Sequence, residues 1–256
     1  MDAGAAQSNG TYDTGSLAAL EVEDALLALW LKVAVPKVHQ DAVLALLSLH
    51  LELARAHRIA REPNIGLIRL KWWQEAVEEL YRGDRPRQHP VVLALGETVK
   101  GRVAPGLLSA MIESHQIDWD QTPSGGYDWH TAVSGFAGQW GNLFRAVVSA
   151  AGQDDSAVHA AANHLGVAFA VVRSVPGMGT ANDLPRFSNA KDEPNWLVQA
   201  LTHLDQAKET AGLWKPLGAL EPLLRAQLMA LTQDKLPRAV GLARAAAPGL
   251  WWRARF

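Results

Sequence analysis

Cysteine is missing from all 256 residues. Disulfides, thiolate nucleophiles, cysteine-ligated zinc and iron–sulfur clusters are therefore excluded, and the chain suits a reducing compartment. A surplus of one charge sign is missing as well: 24 Lys and Arg stand against 26 Asp and Glu, for a formal net charge of −2 and a pI of about 6.5. Basic residues are neither in excess nor gathered into a run, so no nucleic-acid footprint is expected. Residues 1–16 hold no Lys or Arg and no apolar run, and read as a loose tail without the marks of a secretory signal or an arginine-rich transit peptide. Long apolar runs are also scarce. The longest uncharged one, Ala157 to Val172, contains two histidines and an asparagine, and is too short and too polar for a membrane span.

What is present is helix. Hydrophobic residues make up 48% of the chain, enough for a sizeable core. Leu17 to Val35 reads as one helix closed by Pro36, and Lys37 to Ala60 as a second, apolar almost all round and therefore buried. The polar stripe of that second helix is Asp41, Ser48, Glu52 and Arg55. Further helical patterns run over Val91–Lys100, Ala104–Ile117, Tyr127–Ala151, Asp154–Val175, Pro194–Thr210 and Pro216–Leu231, with Asp154 and Asp155 as candidate N-caps. Turn formers interrupt the chain at Asp118–Gly126 and in the run PGMGTANDLP after Val175. Neither an alternating β pattern nor an internal repeat is present. The expectation is an all-α protein with a flexible N-terminal tail (1–16), one helical domain (17–245) and an aromatic and basic C-terminal tail (246–256).

The stretch PNIGLIRLKWWQEAVEELY, Pro63 to Tyr81, is the most distinctive. On a helix of about 100° per residue, Ile65, Ile68, Leu70, Trp72, Trp73, Ala76, Val77, Leu80 and Tyr81 share one broad side. Lys71, Gln74, Glu75, Glu78 and Arg82 take the other. Arg69 falls amid the apolar side, between Ala76 and Leu80, where a guanidinium costs several kcal/mol unless it is paired, hydrogen-bonded or able to snorkel.

IGLIRLKWWQEAV resembles a signature of the squalene/phytoene synthase superfamily, in which IRL-x-WW-x-x-A lies on the helix after the first aspartate-rich one. His89-Pro90-Val91 matches the HPV that members carry a short distance downstream. His164-Leu165-Gly166-Val167-Ala168-Phe169 followed by Val172-Arg173 looks like the family's Gly-x-Ala…Leu-Arg helix, and Leu184-Pro185 like its Leu-Pro. The resemblance covers about Leu17 to Leu231. It implies an isoprenoid-synthase-like bundle of helices around a central cavity.

By the same resemblance, active members condense two prenyl diphosphates, with Mg²⁺ held between two Asp-rich motifs on facing helices. Mg²⁺ takes hard oxygen ligands in near-octahedral geometry, and a four-residue spacing puts two carboxylates on one helical face. Across Ser48 to Glu62, where the first motif belongs, the acids are Glu52 and Glu62, too far apart for such a pair. From Ser156 through Asn182 there is no Asp or Glu. Where the family reads Arg-Asp and a further Asp, this chain has Arg173-Ser174-Val175-Pro176-Gly177-Met178. Both halves of the metal clamp are thus expected to be missing, which would leave the departing pyrophosphate without a divalent counter-ion. The pattern looks most like the branch typified by the mitochondrial complex I assembly factor 6 and its bacterial relatives. That resemblance implies a non-catalytic scaffold or assembly factor with no catalytic residue, no metal and no cofactor, whose partner is a respiratory-complex subunit. It also implies a place in the bacterial cytoplasm or its matrix-side equivalent, peripheral to the inner membrane.

Other constellations remain open. Arg55, Arg58 and Arg61 close the second helix, and with Glu52, Arg69, Lys71 and Arg173 they are candidates for holding an anion such as a prenyl diphosphate without metal. His50 and His57, seven apart on one face, together with Trp72 and Trp73 are candidate cavity-lining residues, and no third ligand is apparent for a metal. Gly135, Gly138 and Gly141 mark close helix packing in preference to a phosphate loop. Trp251, Trp252, Arg253, Arg255 and Phe256 suit an interfacial membrane contact, a partner-docking peptide or packing back on the domain. The rival reading is a prenyltransferase or isoprenoid-binding protein whose metal site is rebuilt from carboxylates such as Glu52, Asp118 or Asp120, which would have to converge on one point. A lipid carrier would need an open apolar cavity capped by arginines.

Overall fold

The computed structural model describes residues 17–59, 63–116, 129–174, 193–209 and 213–233. Its elements are α1 (Leu17–Glu23), α2 (Ala25–Val33), α3 (Lys37–Ile59), α4 (Pro63–Arg82), α5 (Pro90–Thr98) and α6 (Pro105–Ser114). After them come α7 (Trp129–Ala150), α8 (Ser156–Ser174), α9 (Glu193–Glu209), α10 (Lys215–Gly218) and α11 (Glu221–Thr232). Among the described residues the β structure amounts to a bridge between Lys100 and Val103. The all-α expectation holds. The two tails, the Asp118–Gly126 loop and Leu184-Pro185 lie outside the described residues.

Local chemistry accounts for most boundaries. Asp155 accepts the Ala157 amide at 2.8 Å and caps α8. His89 Nδ1 accepts the Val91 amide at 3.3 Å, with Pro90 in the first turn of α5, where a missing N–H costs nothing. Gly83, at φ 89°, lets the chain leave α4 while its amide and that of Asp84 still bond to the last turn.

Two helices expected as continuous are divided. Leu17–Val35 breaks at Asp24, whose non-helical backbone (φ −149°, ψ 87°) makes it the N-cap of α2 and not an interior residue. Pro216–Leu231 splits into α10 and α11 because Pro222 has no amide to donate and is tolerated only in the first turn of a new helix.

The pairing of α7 with α8 is the most extensive in the described fold; α9 packs on α8, while α3 packs on α4, α5 and α7. Their apolar faces merge into one buried cluster that includes Trp30, Leu46, Leu70, Trp140, Phe144 and Phe169. Trp30 Nε1 donates to the Pro216 carbonyl at 2.7 Å, and the Tyr81 hydroxyl donates to the Val103 carbonyl at 2.7 Å, so large polar-tipped side chains also tie distant segments together. No described helix is long and apolar enough to cross a membrane.

Candidate functional site

Two polar features stand out, one inside the bundle and one at its surface. The inner one begins with Asp24, only 2% exposed. Its Oδ1 accepts the Leu27 amide at 3.0 Å, and its Oδ2 accepts from Arg173 Nη2. Arg173, at the C-terminal end of α8, is 5% exposed, and its guanidinium lies 5.4 Å from the Phe169 ring centre and 5.9 Å from that of Trp140. A buried cation between aromatic rings and bonded to a carboxylate is held in one pose.

His50 completes this group from α3. Its ring centre is 4.4 Å from that of Trp140 and 5.3 Å from that of His115. Burial, helped by the charge of Arg173, pushes the His50 pKa down to about 3. The imidazole is therefore neutral, and its buried Nδ1 has no hydrogen-bond partner among the described residues.

This has a consequence for stability. The unfolded chain takes up a proton at His50 near pH 6.5 and the folded one only near pH 3, so stability falls on acidification through that window. The expected loss from His50 alone between pH 7 and pH 5 is about 2 kcal/mol. The α8–α9 contact adds to it. His164 and His203 meet there Nδ1 to Nδ1 at 2.8 Å, and burial lowers the pKa of both. Urea denaturation at the two pH values measures the effect, and His50→Gln should flatten it.

The surface feature is an open pocket of about 230 Å³ between α3, α4 and the start of α5, lined by Glu52, Ala56, Arg69, Trp72, Trp73 and His89. Its aromatic walls meet edge to face: ring centres lie 5.0 Å apart for Trp72 and Trp73, and 4.9 Å for Trp73 and His89. Arg87 lies 5.1 Å over the Trp72 ring while Glu75 and Glu79 hold it at 3.0 and 2.8 Å, so the outer wall is braced from behind. Burial pulls the His89 pKa down, partly offset by Glu52. Glu52 itself is bonded to Arg55 at 2.8 Å, and Arg55 also reaches Glu23 at 2.6 Å.

The candidate residues read from the sequence thus separate. Glu52, Arg69, Trp72 and Trp73 share the pocket, with Arg55 behind Glu52. His50 and Arg173 belong to the inner group. Lys71 is exposed on α4, apart from both groups. The side chains of His57 and Arg58, and all of Asp118 and Asp120, lie outside the described residues. Arg69 is exposed, not sunk in an apolar face, because the buried side of α4 is narrower than the broad stripe predicted from the sequence. It runs through Leu70, Trp73, Ala76, Val77 and Leu80, whereas Ile65, Ile68 and Trp72 are 45%, 68% and 36% exposed.

Sequence reasoning did not single out Asp24, His115 or Trp140. Asp24 had a signal, an acid interrupting a Leu-rich helical run, but nothing local pointed to Arg173 as its partner.

Comparison with known proteins agrees with this architecture. A dehydrosqualene synthase crystallised in complex with ligand superimposes with a TM-score of 0.66 over 93% of this chain and 96% of that chain, at 14% identity, and so shares the all-α isoprenoid synthase fold. NADH dehydrogenase (ubiquinone) complex I, assembly factor 6, from Homo sapiens is 35% identical over 66 residues, which is 26% of this chain and 20% of that protein. Its Mus musculus counterpart is 37% identical over 65 residues, 25% and 19% of the two chains. The match thus spans about a fifth of the length of these curated relatives. The squalene/phytoene synthase family model matches residues 28–180, more than half of the sequence, and the chain belongs to that family.

Proposed function

We propose that this chain is a non-catalytic member of its family that acts as an assembly factor for a respiratory complex, from the cytoplasmic or matrix-side face of an inner membrane. The observation that carries the reading is the state of its carboxylates. Glu52, on the helix where an Mg²⁺ ligand would belong, is bonded to Arg55, and Asp24, beside the end of α8, is bonded to Arg173. A carboxylate already committed to a guanidinium is a poor divalent-cation ligand, since metal binding would strand the arginine. Among the described residues no three acidic or histidine side chains converge on one point. The short stretch shared with assembly factor 6 supports the direction of the proposal.

Calorimetric titration of farnesyl diphosphate into the purified chain, with Mg²⁺ and again with EDTA, tests the non-catalytic part. No Mg²⁺-dependent heat and no pyrophosphate release are expected; either one would overturn it. Loss of NADH dehydrogenase activity from host membranes on deletion of the gene tests the assembly part, and unchanged activity would overturn it.

A further inference from the structure

An apolar ridge on α4 stays in solvent. Ile65, Ile68 and Trp72 recur at spacings of three and four, so they stand in line on one face, and each is at least 36% exposed. Val22, Val38 and Val198, also exposed, stand singly on other helices. Arg69 and Lys71 flank the ridge. Neither makes an ion pair among the described residues, although Arg55, Arg82 and Arg87 all do.

The pocket opens against this ridge, with Trp72 and Arg69 belonging to both. Its volume of about 230 Å³ falls below the roughly 300–1,000 Å³ of sites that enclose a small-molecule ligand, and suits one large side chain. Glu52 in its wall is held by Arg55, which it shares with Glu23, whereas Arg69 is the basic side chain of the lining. A tryptophan, an arginine and a side-chain-sized pocket beside an apolar ridge are the ingredients of an interface hot spot.

We infer that the N-terminal half of α4 docks a partner protein through a short segment that seats one bulky apolar side chain in the pocket and sets a carboxylate against Arg69. The partner segment is apolar on one side and acidic at its edge, since Arg69 and Lys71, exposed and without an ion pair among the described residues, reward negative charge and disfavour positive. This rests on the assembly-factor reading, and names the surface and the chemistry through which such a factor holds its client.

Panning a displayed library of short peptides against the purified chain provides the test. The expected clones carry an aromatic or large aliphatic anchor next to Asp or Glu, and lose about tenfold or more in affinity against Ile68→Asp and against Arg69→Glu. The Arg69→Glu protein should in turn select Lys- or Arg-bearing clones. Both positions are exposed, so the variants keep the fold, which circular dichroism verifies.

The proposal is overturned if no clone depends on Ile68 and Arg69. It is also overturned if sedimentation shows a dimer that Ile68→Asp dissociates, or if the face binds vesicles of phosphatidylcholine and phosphatidylglycerol instead. None of these results involves prenyl diphosphates. The non-catalytic reading would stand or fall separately.

Discussion

Replacing Arg173 by methionine is expected to destabilise the fold by about 3–5 kcal/mol, because it leaves the Asp24 carboxylate buried without its cation. Asp24 would keep the Leu27 amide, but one amide cannot replace a guanidinium where the carboxylate is 2% exposed and shielded from bulk solvent. The double variant Asp24→Asn, Arg173→Met should recover much of the loss. Neither charge of the pair remains in it, and asparagine still caps α2. Urea denaturation of both single variants and the double variant closes the cycle. A loss under about 1 kcal/mol in Arg173→Met would mean that the pair contributes no more than a surface ion pair. A second readout is independent of stability. Removing the Arg173 charge should raise the His50 pKa from about 3, visible by NMR titration.

Gly166→Ala is expected to cost about 1–3 kcal/mol or more, against the roughly 1 kcal/mol that alanine gains over glycine in a helix. A Cβ at Gly166 would lie 2.5 Å from the Gly141 nitrogen, and 2.6 Å from both the Gly141 Cα and the Trp140 carbonyl carbon. These are backbone atoms. No rotamer change can clear them, so α7 and α8 would have to separate along the most extensive contact of the described fold. Trp140 would move with α7, loosening the wall around Arg173 and His50. Thermal denaturation compares this variant with Gly106→Ala in α6, where nothing lies within 4 Å of the added methyl and stability should change little. Equal midpoints for the two variants would show that α7 and α8 do not meet backbone to backbone.

The helices and their order were legible in the sequence because each carries its own local signals: apolar periodicity, an Asp before α8, prolines opening α5 and α6, a glycine closing α4. Gly141 was rightly read as a packing residue, although only the structure shows that it faces Gly166. The pocket was half visible. Glu52, Arg69, Trp72 and Trp73 were named from sequence and do share it, whereas His89 was noticed only as part of a motif and not as a wall.

The sequence by itself determined the helix-rich class, the absence of thiol chemistry, the balance of charge and the scarcity of acids across Ser48–Glu62 and Ser156–Asn182. These depend on composition and near-neighbour spacing alone. Tertiary structure decided which side of an amphipathic helix is covered and which charge finds which partner. The helical pattern of α4 offered nine residues as one apolar side, but its neighbours cover only a narrow wedge, so Ile65, Ile68 and Trp72 were left in solvent. Asp24 and Arg173 are 149 residues apart, and no periodicity links them. Desolvation makes each costly to bury alone, and only packing of α8 against the α1–α2 junction supplies the opposite charge that offsets it.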